Sequence, residues 1–488
     1  MHKPITWTIA GSDSSGGAGI QADLHAFQAL GVHGCSVIAA LTAQNSLQVS
    51  QVEFVSTSMV SAQIEALLRD MPPQAIKLGM LGSLTTLKAI IPVLQKISVP
   101  VVCDPVLFAS AGDALYEGDI RDQLIQNLFP CVTLLTPNVP EAEWLLKRQL
   151  ISNTDMVEAA HSLLAYGPKA ILLKGGHARS QSTYAQDYFT DGKNSFWLNS
   201  KRLGTVHKHG SGCTLASAIT AGLAQHYDIK DALVIAKAYV NQGLHLSQPI
   251  GQGPGPVAHH RWPTRADCLP WKTINSSDQE PAVFPPCINE SFGFYPIVDS
   301  AAWVARCLAQ GVKTLQIRIK ETPEKQIYQE LKTAIHLASQ YQAQLFINDH
   351  WRIALDLGAY GVHLGQEDLT EANCEALLKA GLRLGVSAHS YSELARAHAL
   401  RPSYIAIGPI YETTTKKLAY EPQGLAKLNA YRQLLDYPVV AIGGINWQRL
   451  PEVWQTKVNG VCVISAITQA EDPDNEIRRW LNFFTTTH

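Results

Sequence analysis

No stretch of this 488-residue chain is apolar for the 18 or so residues that a membrane span needs. Nor does the opening MHKPITWTIAGSD show the basic, apolar and small-residue regions of a signal peptide. These absences lead us to expect a cytoplasmic protein that does not contact membrane. Charge of one sign is missing too: 39 Lys and Arg face 41 Asp and Glu, so no overall field draws the chain to nucleic acid. The nine cysteines are odd in number and contain no CxxC pair, which removes a disulfide framework and a zinc ribbon. GxxxxGK[ST] is absent, so no P-loop NTPase is encoded.

What is present is enough for two to four cores, since folded units run to about 100–200 residues. The first 260 residues alternate short apolar runs with amphipathic stretches, as layered α/β sheets do. TWTIAG, IKLGML, VPVVCDP, CVTLLTPN and AILLKGGH predict buried parallel strands. Met59 to Met71, with Val60, Ile64, Leu67, Leu68 and Met71 on one face, predicts a helix. Two alternating runs around Asp191-Gly192 predict a β-hairpin.

Past Trp262 the periodicity stops, and Pro270, Pro281, Pro285 and Pro286 mark an expected linker over 266–290, between units at 1–265 and 291–488. A stricter rhythm follows: FYPIVD, TLQIRI, QLFIND, GVHLG, RLGVS, YIAIG, VVAIGG and GVCVIS, each trailed by a helix-length segment. Eight such units predict a (β/α)₈ TIM barrel with its site at the carboxyl ends of the strands. Arg318, Lys320, Asn348, Asp349, Asp368, Ser387 and Ser465 all fall at or just after those ends.

Two glycine clusters stand out in the first half. SGGAGIQAD has dinucleotide-fingerprint spacing, but the acidic residue expected about 20 positions on is missing. HGSGCTLASAITAGLAQH opens a helix at His209, Gly210, Ser211, Gly212 and Cys213, where converging amides at a positive helix end suit a phosphoryl group. A tight turn before a core helix is the bland alternative. Asp104, Asn138, Glu141 and Lys174 sit at predicted strand ends or helix starts. Taken singly each is a cap or a surface residue; taken together they can hold Mg²⁺ and counter polyphosphate, the equipment of an ATP-dependent kinase. His207 and His209 with Cys213 lack a fourth ligand for zinc, and His259 and His260 read as solvated.

SGGAGIQAD, CSVIAALTAQN, KLGML, DPV, TPNVPEAE, LLKGGH and HGSGCTL, in that order across 1–262, resemble hydroxymethylpyrimidine and phosphomethylpyrimidine kinases of thiamine biosynthesis. The resemblance implies a ribokinase-like fold and two successive ATP-dependent phosphorylations of 4-amino-5-hydroxymethyl-2-methylpyrimidine. It implies that Gln44 binds the aminopyrimidine, that Gly210 to Gly212 form an anion hole and that Cys213 lies near the substrate hydroxyl. Sugar kinases of the superfamily usually carry Asp at the Cys213 position, while Lys208 and Ser211 replace residues that are often Thr. A cysteine at a helix N-terminus can have its pKa lowered toward neutrality, so Cys213 is expected to act as a base in the first transfer more than in the second.

In the second half, Gln316, Arg318 and Lys320 recur at period two and are expected to point one way, toward a diphosphate; a salt-bridged barrel floor is the alternative. Asp349 and Asp368 can share one Mg²⁺. Thr413, Thr415 and Lys416 in YETTTK, with Gly444, Ile464 and Ser465, offer a second anion site. FYPIVDS, LQIRIKE, LFIND, GVHLGQED, LGVSAH, IAIGPIYETTTK, AIGGI and VISAI resemble thiamine phosphate synthase across 294–488. This implies condensation of hydroxymethylpyrimidine diphosphate with 4-methyl-5-(2-phosphoethyl)thiazole.

The partners expected are therefore small molecules, and a homo-oligomer is compatible with the sequence. Two other readings stay open: a pyridoxine-type kinase fused to a tautomerase-related barrel, and a pair of degenerate sensor domains.

Overall fold

A computed structural model describes residues 3–108, 115–116, 120–176, 182–276, 279–413 and 421–486. Cα packing divides the chain into two units: Met1–Pro263 with Asp267–Gln279, and Thr264–Ala266 with Glu280–His488.

The first unit is built on ten strands: β1 (Ile5–Asp13), β2 (His33–Gln44), β3 (Val49–Phe54), β4 (Ala75–Leu78), β5 (Val101–Cys103), β6 (Leu134–Leu135), β7 (Ile171–Leu173), β8 (Tyr184–Thr190), β9 (Ser195–Lys201) and β10 (Trp271–Thr273). Their order is β10-β9-β8-β7-β6-β5-β4-β1-β2-β3. From β7 to β2 all neighbours are parallel. β4 to β7 are short and wholly buried because both of their faces are covered, as in a sheet sandwiched between helices.

All five predicted parallel strands are present, and the hairpin turns at Asp191–Asn194, where Asp191 Oδ1 accepts the amides of Lys193 and Asn194. The chain reverses its order of strand addition at β1, which lies between β4 and β2. Such a switch point opens a crevice at the strands' carboxyl ends. The helix predicted from Met59 spans Thr57–Asp70 and buries Val60 and Ile64, but Leu68 faces solvent.

Eight further strands close the second unit: β11 (Gly293–Val298), β12 (Thr314–Ile317), β13 (Gln344–Asn348), β14 (Gly361–Leu364), β15 (Arg383–Ala388), β16 (Tyr404–Ile407), β17 (Val439–Ile442) and β18 (Gly460–Val463). Every neighbour is parallel, and β18 returns to pair with β11. The barrel interior is aromatic at its centre, where Tyr404 meets Phe346, Phe292 and Tyr295 at ring separations of 4.9, 5.3 and 5.9 Å.

The expected linker over 266–290 is anchored at several points. Trp271–Thr273 pairs antiparallel with β9, and Asn199 Nδ2 donates to the Trp271 carbonyl at 3.2 Å. Further on, Phe284 and Cys287 are buried, and Ser403 Oγ donates to the Pro285 carbonyl at 2.7 Å. Isolated apolar anchors between prolines bury well yet leave no period to read.

Candidate active sites

In the first unit the two glycine clusters lie face to face. Gly210 has φ +76°, and a Cβ there would stand 1.9 Å from the Gly17 carbonyl. Only glycine permits both that left-handed backbone and that approach. Behind Gly210 the helix Ser211–Ala224 begins, and Thr214 N donates back to the Gly210 carbonyl. Among the described residues the amides of Gly212 and Cys213 donate to no protein acceptor, so this helix end keeps donors free for an anion.

The strand ends bring the predicted charges to the same place. Lys174, just past β7, donates to Asp104 Oδ1, just past β5, at 2.6 Å. A Cβ on Gly212 would lie 3.4 Å from both Asp104 Oδ2 and Lys174 Nζ, so the helix end abuts this ion pair. Asn138 and Glu141 form a reciprocal capping box at 2.8 Å each way, opening the helix Val139–Leu146. The cap serves the helix and also presents Glu141 to Lys174 and Asp104. Burial pushes the Glu141 carboxyl up to about 7, with Lys174 opposing and Asp104 reinforcing the rise. Burial alone would depress Lys174, but Asp104 and Glu141 hold its ammonium above the usual lysine range.

Cys213 stands in this group but not as expected. Burial pushes its thiol up to about 11; Asp23 and Asp104 add to the rise and Lys77 opposes it. The helix end and one lysine do not overcome desolvation beside two carboxylates, so the thiol keeps its proton at neutral pH.

Gln44 closes β2 on the other side, its carbonyl accepting from Ser14 Oγ at 2.8 Å and its Nε2 lying 3.4 Å from His209 Nε2. His209 Nε2 also lies 3.1 Å from Asp13 Oδ2. Burial would raise the Asp13 carboxyl, yet hydrogen bonds from His209 and Ser15 hold it below the ordinary aspartate value. Three participants escaped the sequence analysis: Asp13, Lys77 and Asp23. Lys77 and Asp23 form a wholly buried ion pair at 2.8 Å, and Asp23 also accepts from Thr8 and Ser217 at 2.6 Å each. A lysine inside the apolar strand AIKL was the signal available. His259, expected in solvent, is half-buried 3.1 Å from Tyr239 Oη, and burial lowers it to about 4.

In the barrel, Gln316 is buried and donates to Tyr295 Oη at 3.3 Å, Arg318 is half-buried, and Lys320 is exposed beyond the end of β12. The three thus climb from the core to the mouth instead of lining one depth. Among the described residues the Arg318 guanidinium has no hydrogen-bond or ion-pair partner. Lys320 ion-pairs with Asp349, which follows β13 in a left-handed conformation, φ +63°. Burial would raise Asp349, but Lys320 holds it below the usual aspartate range. Asp368 goes the other way: burial and then the neighbouring Asp349 push it up, while its Oδ2 accepts the Gly365 amide at 3.1 Å. The two carboxylates are therefore adjacent, as a shared hard cation needs. Asn348 lies beside them, buried, with no side-chain hydrogen bond among the described residues.

On the other side of the mouth, Gly444 has φ +65° and packs so closely on the Tyr411–Glu412 backbone that a Cβ would meet the Glu412 carbonyl at 2.3 Å. This brings Gly444 to the loop that carries Thr413. Arg449, unremarked in the sequence, donates to the Gly444 carbonyl at 2.6 Å and stacks on Tyr411 at 4.4 Å. Ile464 is half-buried and Ser465 exposed at the end of β18. Thr415 and Lys416 lie outside the described residues. Ser387 Oγ lies 2.8 Å from His363 Nε2, a buried histidine the sequence analysis also missed.

Comparison with known proteins follows the same division. The family model "Phosphomethylpyrimidine kinase" matches residues 13–258, and "Thiamine monophosphate synthase" matches 294–467. A rice (Oryza sativa subsp. japonica) protein described as a probable thiamine biosynthetic bifunctional enzyme, chloroplastic, is 33% identical over all of this chain and 90% of its own length. The chain belongs to the bifunctional thiamine biosynthetic enzymes. Its second half alone is 55% identical to the thiamine-phosphate synthase of Photorhabdus laumondii, over 37% of this chain and 84% of that protein. Among solved structures, the pyridoxal kinase of Staphylococcus aureus in complex with ADP is 33% identical, with a TM-score of 0.50 over 53% of this chain and 94% of that one. The bifunctional enzyme is thus a ribokinase-like phosphomethylpyrimidine kinase joined to a TIM-barrel thiamine-phosphate synthase. Among the described residues no helix is long and apolar enough to cross a membrane.

Proposed function

We propose that the kinase half uses ATP twice, first on 4-amino-5-hydroxymethyl-2-methylpyrimidine and then on its monophosphate. The barrel then joins the diphosphate to 4-methyl-5-(2-phosphoethyl)thiazole. The observation that carries the kinase reading is the convergence of the free Gly212 and Cys213 amides with the Lys174–Asp104 pair. Fixed donors aimed at one point stabilise charge on a transferring phosphoryl group without reorganising when it moves.

In this reading Lys174 holds a polyphosphate oxygen, Gln44 orients the aminopyrimidine, and Ser211 with Gly210 shapes the turn around the anion. Cys213 keeps its proton at Sγ and contacts the substrate hydroxymethyl group as a neutral thiol. That revises its expected role from base to positioning.

Carboxylate sets suited to a hard cation exist in both halves, so the residues fit Mg²⁺. Bound Mg²⁺, held by Asp104 and Glu141 in the kinase half and by Asp349 and Asp368 in the barrel, would neutralise negative charge on phosphate oxygens. In the barrel, Arg318, Lys320, Asn348 and Ser387 grip the diphosphate, while Gln316 orients the pyrimidine end. Thr413, Thr415, Lys416, Gly444, Ile464 and Ser465 seat the thiazole phosphate. A reducing compartment such as the cytoplasm suits nine cysteines that are all free thiols.

The assignment is tested by separating the halves genetically in the full chain. Lys174→Met should abolish ADP formation while pyrimidine diphosphate supplied directly is still condensed. Asp349→Ala should do the reverse. Loss of both activities in either variant, with the fold intact by circular dichroism, would contradict the division of residues.

A further inference from the structure

Five side chains from five barrel strands form one hydrogen-bonded chain. Gln316 Nε2 donates to Tyr295 Oη at 3.3 Å, and Tyr295 Oη lies 2.7 Å from Tyr404 Oη. Tyr404 Oη lies 2.7 Å from His363 Nδ1, and His363 Nε2 lies 2.8 Å from Ser387 Oγ. Four members are buried, and only Ser387 reaches toward the mouth. The catalytic reading uses the two ends of this chain and leaves its three central members without a task.

Counting hydrogens gives one direction for the Gln316 orientation in the structure. With its amide nitrogen toward Tyr295, Gln316 donates and Tyr295 accepts, and among the described residues the remaining acceptor within reach of Tyr295 is Tyr404. The Tyr404 hydrogen then goes to His363 Nδ1. His363 must carry its proton on Nε2, where it donates to Ser387 Oγ. The Ser387 hydroxyl hydrogen is left over and points to whatever occupies the site. The reverse direction, or a doubly protonated imidazole, strands the Tyr295 hydrogen in the core without an acceptor, and such burial costs about 1–3 kcal/mol.

We propose that Tyr295, Tyr404 and His363 are positioning residues of the barrel site, a relay that fixes the Ser387 hydroxyl as a hydrogen-bond donor to an anionic oxygen of the substrate. This rests on the assignment of Ser387 to the substrate site. A donor of fixed polarity discriminates charge: it favours a phosphate oxygen and leaves an amino or ammonium group without an acceptor.

The test is the imidazole ¹⁵N spectrum of the full chain labelled in histidine, with His363→Gln used to assign the signal. The relay predicts the neutral Nε2–H tautomer, and an Nδ1–H tautomer or an imidazolium would overturn it. Tyr404→Phe keeps the ring but removes the donor to Nδ1. It should mix the tautomers and raise the KM of a phosphate-bearing substrate about tenfold with kcat nearly unchanged, the loss of one oriented hydrogen bond. Tyr295→Phe leaves the Tyr404 donor in place and should shift the tautomer far less. Adding Tyr404→Phe to Ser387→Ala should cost nothing further. An unaltered tautomer and KM in a folded Tyr404→Phe chain would refute the relay. The tautomer is read without turnover, so a chain with the predicted tautomer but no condensation would fault the site assignment and spare the relay.

Discussion

Lys174 donates to Asp104 at 2.6 Å across β6, joining the ends of β7 and β5 although 70 residues separate the two in the chain. The pair is buried. Removing one member leaves the other charge uncompensated, which costs about 3–5 kcal/mol for pairs of this kind. Lys174→Met should therefore lose kinase turnover at least 100-fold and also lower the melting temperature of the first unit. Scanning calorimetry beside an ADP-release assay checks both.

Glu141 offers the opposite test. Its carboxyl is raised from 4.5 to about 7, so the folded chain holds a proton between those values that the unfolded chain has released. Stability should fall as pH rises from about 4.5 to about 7, by up to about 3 kcal/mol from this group. Glu141→Gln, which still accepts the Asn138 amide, should raise the melting temperature in EDTA at pH 8 and change it little at pH 4. Equal shifts at both pH values would contradict the raised carboxyl.

Cys213 should leave no mark on the neutral pH–rate profile, because a thiol at about 11 stays protonated there. Cys213→Ser should keep the profile's shape. Cys213→Ala should slow both phosphorylations by similar factors when the steps are assayed separately. A selective loss of the first step would restore the thiolate base.

Two glycines two residues apart should fail differently. A Cβ at Gly210 strikes the Gly17 carbonyl from a left-handed backbone, so Gly210→Ala should destabilise the unit by about 2 kcal/mol or more and lose activity with it. A Cβ at Gly212 meets Asp104 and Lys174 only at 3.4 Å. Gly212→Ala should fold normally yet cut kinase turnover by filling the space a phosphoryl group needs.

The sequence made the strands and their polar ends legible because a parallel strand needs a continuous apolar run and its site residues follow at once. FYPIVD through GVCVIS mapped onto β11–β18 in order. What stayed hidden has no periodic signature. Trp271 and Phe284 anchor a proline-rich stretch through single buried side chains. Lys77 and Asp23 look like errors in apolar segments until the fold pairs them. The Cys213 environment misled because helix position is visible in sequence, whereas Asp23 and Asp104 arrive only through tertiary structure.

The most direct measurement follows one purified chain by ³¹P NMR with hydroxymethylpyrimidine, thiazole phosphate, ATP and magnesium in the same tube. The account predicts thiamine phosphate, with two ADP and one diphosphate released for each molecule formed. Pyrimidine diphosphate that accumulates with the thiazole phosphate untouched, or a pyrimidine that is never phosphorylated, would contradict it.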